Sequence, residues 1–112
     1  MNNPGMPDFQ QILQMGQQMQ ARMAQMQSDL ESKTVNSSSG GGMVTVTADG
    51  RGKIRSVRID PSVVDANDVE MLEDLVLAAV AEAQSRAEAV HEEEMRKLTG
   101  GFSLPFGDVG PR

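Results

Sequence analysis

Met43-Val-Thr-Val-Thr-Ala48, Asp49-Gly-Arg-Gly52 and Lys53-Ile-Arg-Ser-Val-Arg-Ile59 together decide the fold of this chain. In the first segment apolar residues alternate with threonine, the period-two pattern of a half-buried strand. The second is a turn of glycines and an aspartate, and the third returns with β-branched residues between basic ones, so the three form a β-hairpin. With the turn centred between Gly50 and Arg51, Val44 faces Val57 and Val46 faces Arg55. Val44, Val46, Val57 and Ile59 then line one face of the sheet, while Ile54 lies on the other with Thr45 and Thr47. A bulge would carry Ile54 across to the first face. A sheet with apolar residues on both faces needs two covers, one from the chain's own helices and one from a second subunit.

Upstream, Lys33-Thr-Val-Asn-Ser-Ser38 reads as a short first strand, and Gly40-Gly41-Gly42 as a flexible linker to the second. The glycine run is not a phosphate loop, because no Gly-Lys-Ser/Thr follows it and no helix starts there. Before it, apolar residues fall at Phe9, Ile12, Met15, Met19, Met23, Met26 and Leu30, in steps of three and four. That spacing predicts a long amphipathic helix whose other faces are rich in glutamine. Its methionines suit either a helix seam or an adaptable binding surface.

Downstream, Asp60-Pro61 ends the last strand, because proline lacks the N–H a ladder requires. Asp65 is expected to cap a second long helix, about residues 66 to 98, with Asp68, Glu70, Glu73 and Asp74 in its first turns. Its apolar stripe runs from Val69 and Leu72 through Ala79, Ala83 and Ala87 to Leu98, and small residues in the middle permit close approach. Gly100-Gly101 stops it. The expected organisation is a leader over 1–8, one domain over 9–99 and a tail over 100–112. The fold class is α+β, in the order helix, three-stranded antiparallel meander, helix.

With 112 residues, 38% hydrophobic and 3% aromatic, the chain makes one thin aliphatic core, and self-association is the expected source of further burial. The absence of cysteine excludes disulfides and thiolate chemistry. No apolar run is long enough to span a membrane, and the first residues lack the pattern of a secretory signal, so a soluble cytoplasmic protein is expected. His91 is the only histidine. With Glu88, Glu94 and Met95 it makes at best a weak metal site, and it reads as a solvated helix residue. Glu92-Glu93-Glu94 lacks the loop of a calcium site. No metal, cofactor, small-molecule substrate or catalytic residue set is expected.

The net charge of -6 conceals a strong division. Residues 33–59 carry Lys33, Arg51, Lys53, Arg55 and Arg58 against Asp49 alone, whereas residues 60–94 carry eleven acidic residues against Arg86. The basic belt suits contact with phosphates. It equally suits the role of strand-edge charges that discourage aggregation.

Several segments in fixed order resemble the YbaB/EbfC family of bacterial nucleoid-associated proteins. They are Ser39-Gly-Gly-Gly-Met-Val-Thr-Val46, Asp49-Gly-Arg-Gly-Lys-Ile54, Val57-Arg-Ile-Asp-Pro61, Asp68-Val-Glu-Met-Leu-Glu-Asp-Leu-Val76 and Met95-Arg-Lys-Leu-Thr-Gly-Gly101. The resemblance spans about residues 9 to 105. It implies an α-β-β-β-α protomer, a homodimer with projecting helices, and non-enzymatic binding of double-stranded DNA on the nucleoid, in nucleoid organisation or gene regulation. On that basis Arg22, Lys33, Arg51, Lys53, Arg55 and Arg58 are the expected DNA contacts, and Val44, Val46, Ile54, Val57 and Ile59 the expected dimer interface. Family members often carry lysines along the first helix, where this chain has only Arg22 among glutamines. The alternative function is a protein-interaction module that uses the methionine-rich helices.

Overall fold

The structure, a computed structural model, describes residues 8–100. Helix α1 spans Phe9–Ser32, strands β1, β2 and β3 span Thr34–Ser39, Val44–Asp49 and Ile54–Ile59, and helix α2 spans Val69–Thr99. The strands form one antiparallel sheet in the order β1-β2-β3. The α+β class and the element order are those expected from the sequence. Apart from Asp8 and Gly100, the leader and the tail lie outside the described residues.

Each boundary has a local cause. Asp8 accepts hydrogen bonds from the backbone N–H groups of Gln10 and Gln11, and the Gln11 side chain accepts one in return from the Asp8 N–H. This reciprocal cap satisfies donors that the first helical turn leaves unpaired. At the other helix the expected cap is corrected: Asp68, not Asp65, caps α2 by accepting from the Met71 N–H. Asp65 instead accepts from the Asn67 N–H at 2.9 Å, closing a turn ahead of the helix.

The Gly40–Gly42 segment is likewise not a loose linker. It is a tight turn with φ values of 61°, 67° and 93°, joining β1 to β2 so closely that Ser39 pairs with Val44. A side chain at Gly40 would be doubly penalised, because its Cβ would sit 3.1 Å from Leu75 Cδ2 as well as at positive φ.

Helix α2 lies across one face of β1 and β2. Ala79 and Ala83 pack on Val44, Val46 and Ala48, all fully buried. The alanines bring the helix near enough for β1 serines to bond its backbone: Ser37 donates to the Ala79 carbonyl and Ser39 to the Leu75 carbonyl. That explains how a strand as polar as Thr-Val-Asn-Ser-Ser-Ser turns hydroxyls toward a core without leaving them unsatisfied. Helix α1 is anchored mainly at its C-terminal end, where Met26 and Leu30 are buried. Its earlier apolar residues Phe9, Ile12, Leu13 and Met15 are exposed, in a body with extents of 78 × 32 × 16 Å.

The hairpin register differs from the expected one by two residues. Val44 pairs with Ile59 and Val46 with Val57, and an irregularity beside Thr47 and Ala48 sets Ile54 opposite Ala48. The bulge carries Ile54 onto the core face, where it packs against the cluster under α2. Because the slip is an even number of residues, Val57 and Ile59 keep the face expected of them. The other face is left to Asn36, Ser38, Thr45, Thr47, Ser56 and Arg58, which are neighbours in the observed register.

Candidate nucleic-acid interface

The hairpin tip is organised by one carboxylate. Asp49 is only 2% exposed, and its Oδ1 accepts from the backbone N–H groups of Arg51 at 2.9 Å and Lys53 at 3.1 Å. Its Oδ2 accepts from the Arg55 guanidinium at 2.8 Å. Burial pushes the Asp49 carboxyl up, but those N–H bonds and Arg55 outweigh it and hold it below its ordinary value of 3.8. The tip is also tied to α1, since the Gly50 N–H donates to the Leu30 carbonyl at 2.8 Å. Lys33 donates its own N–H to the same carbonyl. The junction of α1 and β1 therefore meets the β2–β3 turn at one end of the sheet.

This arrangement redistributes the basic belt. Lys33, Arg51 and Lys53 gather at the hairpin end, all exposed. Arg51 reaches Glu31 at 3.7 Å, a long contact between two half-exposed side chains. Arg55 is already engaged by Asp49, so its charge is partly neutralised within the chain. Arg58 stands apart, opposite Thr45 near the other end of the polar face. Arg22 lies on α1, beside the crevice where α1 meets Glu94, Lys97 and Leu98 of α2. The six cations are thus not one continuous stripe. They are a cluster of three, a pinned arginine and two outliers.

On α2 the basic residues are paired. Arg86 bonds Glu82 and the Asn36 carbonyl, Arg96 bonds Glu93, and Lys97 bonds Glu94. The Glu93 carboxyl is held below its ordinary value by the bond from Arg96, which is itself raised. The acidic surplus of this helix remains on its exposed side.

The five apolar residues expected at a subunit interface divide by burial. Val44 and Val46 are fully enclosed by the chain's own α2, and Ile54 packs beside them, so a partner has no access to the first two. Val57 and Ile59 remain 43% and 38% exposed, because α2 crosses β1 and β2 and leaves β3 largely uncovered. Beside Ile59, Leu72, Val76, Leu77 and Val80 line an apolar groove of about 480 Å³. None of these α2 residues was singled out as an interface by the sequence, since a helical stripe looks the same whether its own sheet or another subunit covers it.

A second depression lies between the hairpin tip and α2, lined by Gly50, Arg51, Gly52, Gln84, Ala87, Glu88 and His91. His91 is half-buried rather than fully solvated. Its proximity to Arg51 is a long-range consequence of the fold that no local pattern announces. Among the described residues, no cluster of three or more His, Asp or Glu side chains is placed to hold a metal ion. None of the described helices is long and apolar enough to cross a membrane.

The sequence profile of the YbaB/EbfC DNA-binding family matches residues 6–102. A nucleoid-associated protein of Caldanaerobacter subterraneus subsp. tengcongensis is 49% identical over 102 residues, covering 91% of this chain and 92% of the relative. One from Gluconacetobacter diazotrophicus is 47% identical over 96 residues, covering 86% and 90%. In fold, the chain resembles the crystal structure of an uncharacterised Helicobacter pylori protein with a TM-score of 0.70 at 24% identity, over 88% of this chain and all of that one. Profile, relatives and fold agree over nearly the whole chain, and the protein belongs to the YbaB/EbfC DNA-binding family.

Proposed function

We infer that this protein is a non-enzymatic, nucleoid-associated DNA-binding protein that holds duplex DNA as a homodimer, mainly through phosphate contacts, and acts in nucleoid organisation or gene regulation in the cytoplasm. The observation that carries the reading is the gathering of Lys33, Arg51 and Lys53 at one end of a sheet whose open face is hydroxyl- and amide-rich and bears Arg58. Cations on flexible stems beside small polar side chains suit a phosphate backbone and carry no base-reading code. Residues 43–59 of the hairpin include no aromatic residue to stack on a base. A homodimer is supported by the uncovered apolar surface of Val57, Ile59 and the α2 groove, which a second copy of the same patch would cover by twofold symmetry.

The test is a duplex titration across ionic strength. The logarithm of the binding constant should fall linearly with the logarithm of salt concentration, at a slope of about -0.9 per phosphate neutralised. Replacing Lys33, Arg51 and Lys53 with alanine should flatten that slope and weaken all sequences alike. Absence of binding at low salt would refute the reading.

One feature favours a second activity. Phe9, Ile12, Leu13 and Met15 form an exposed stripe on the projecting part of α1, a surface suited to a partner protein. Changing Phe9, Ile12, Leu13 and Met15, all exposed, to glutamine separates the roles: partners lost with the fold intact supports docking, and loss of the fold assigns the stripe to packing.

A further inference from the structure

We propose that the notch between the hairpin tip and α2 is a phosphate-binding site, and that it takes one phosphate of the DNA backbone between Arg51 and His91. This rests on the DNA-binding reading and adds to it a site on the far side of the hairpin from the belt residue Arg58.

The notch holds about 310 Å³. Its hairpin wall carries glycine on either side of Arg51, and nothing stands within 4 Å of where a Cβ of Gly52 would be, so the wall is low. Its helical wall is one stripe of α2, with Gln84, Ala87, Glu88 and His91 spaced at three, one and three residues. Ala87 is nearly fully buried and forms a floor without bulk. The rim thus offers three donors of different kinds, a guanidinium, an amide and an imidazole.

Arg51 is the cation at the tip that a ligand can recruit. Its contact with Glu31 is 3.7 Å long, and the two side chains are 47% and 55% exposed, so that pair contributes little and exchanges readily. Arg55 contrasts with it at 2.8 Å from a buried Asp49. A phosphate presents two oxygens to a guanidinium fork, which is geometrically superior to a long single contact with a carboxylate.

The charges that face His91 are Glu88 and Glu94 on its own helix, one turn before and one turn after, and Arg51 across the notch, with Glu31 of α1 behind Arg51. Glu94 is bonded by Lys97 at 3.1 Å, which leaves Glu88 as the principal acidic group on the rim. An entering phosphate adds a negative charge beside the imidazole and stabilises its protonated form. Binding and protonation are therefore linked: DNA affinity should rise as pH falls through the range in which His91 titrates.

The chain has a single histidine, so its imidazole NMR resonances report on this site without assignment ambiguity. His91 is titrated in the full-length protein alone, with inorganic phosphate at matched ionic strength, and with duplex DNA. Both additions should raise the titration midpoint by about half a unit, which corresponds to about threefold in affinity. Arg51→Ala should abolish the displacement. In parallel, wild-type affinity for duplex should increase about threefold from pH 8 to pH 6 at fixed salt, and His91→Gln should remove that increase. Glu88→Gln should strengthen binding, and circular dichroism verifies that each variant is folded.

If duplex binds while the His91 midpoint stays fixed and His91→Gln retains the wild-type pH profile, the notch is not a phosphate site, although the protein still binds DNA. If phosphate moves the midpoint and bound duplex does not, the assignment to the DNA backbone is overturned. If no duplex binds at low salt, the DNA-binding reading itself fails, and the inorganic phosphate arm alone decides whether the notch takes an oxyanion.

Discussion

Asp49 is the most informative residue to change, because it joins the hairpin's stability to the charge the hairpin displays. Asp49→Ala removes the acceptor for two backbone N–H groups and for Arg55. At about 1 kcal/mol per hydrogen bond, reduced where water reaches the freed donors, the loss is on the order of 3 kcal/mol. For a domain of this size that is a fall of about 12–24 °C in melting temperature. Asp49→Asn is the sharper variant. Its amide oxygen still accepts the two N–H bonds, and only the ionic bond to Arg55 is lost, in which Arg55 is 43% exposed. Solvent screening limits that loss to about 1 kcal/mol or less. The asparagine variant also releases Arg55 to the surface, so its DNA affinity should increase and its salt slope should steepen by about 0.9 if the freed guanidinium meets a phosphate. Thermal melts read the first effect and salt-dependent duplex titrations the second. An alanine variant that melts within about 3 °C of wild type would refute the claim that Asp49 pins the turn. A folded asparagine variant with an unaltered slope would remove Arg55 from the DNA-facing surface. The pH dependence follows with its sign. The folded-state value lies below 3.8, so the stabilisation is fully present above 3.8 and is lost as pH falls through the lowered value. Asp49→Asn should lack that acid-dependent component.

Two further changes probe packing and assembly. A Cβ on Gly50 would lie 2.9 Å from the Leu30 carbonyl oxygen and 3.1 Å from Leu30 Cδ2, so Gly50→Ala should separate the hairpin tip from α1 and cost about 1–3 kcal/mol in denaturant unfolding. Val57→Asp combined with Leu77→Asp charges the uncovered β3 and α2 surface; light scattering should show a dimer become a folded monomer, and an unchanged mass would exclude that surface as the interface.

The hairpin shows both what periodicity reveals and where it stops. The alternation in Val44–Ala48 identifies the strand and its buried face, because side chains on a pleated strand repeat every two residues. That same period makes a slip of two residues invisible, and the pairing of Val44 with Ile59 instead of Val57 came from the turn and the bulge. The bulge also explains Arg55. As one of four cations over residues 51–58 it belongs to the belt, but the bend aims it at Asp49, six residues earlier. At the start of α2, Asp65 and Asp68 are both sound caps by residue type, and the turn closed by Asp65 delays the helix to Val69. The glycine triplet reads as slack in sequence, yet only glycine accommodates three successive positive φ values in so short a turn. That His91 and Arg51 line the same notch was beyond sequence reach, since it depends on where α2 crosses the hairpin tip.

The placement of α2 has one more consequence for how an acidic chain meets a polyanion. Helix and sheet form two layers, so the surface bearing Asn36, Thr45, Thr47 and Arg58 is separated from the exposed carboxylates of α2 by the thickness of the sheet and of a helix about 10–12 Å across. That exceeds a Debye length of about 8 Å at physiological ionic strength, so most of the acidic charge is screened from a duplex laid on the polar face. The uncovered apolar residues Val57 and Ile59 lie on the opposite, α2-bearing face. A partner subunit seated there would leave the polar face open. It would also approach Glu73, which stands at the edge of the apolar groove, so the twofold contact must either leave that carboxylate at the solvent rim or give it a cation. Self-association and the contacts of the polar face therefore draw on different faces of one thin sheet, and the notch beside α2 lies at the hairpin end, lined by neither Val57 nor Ile59. On this geometry, disrupting the dimer lowers DNA affinity by halving the number of phosphate contacts, without altering those each protomer makes.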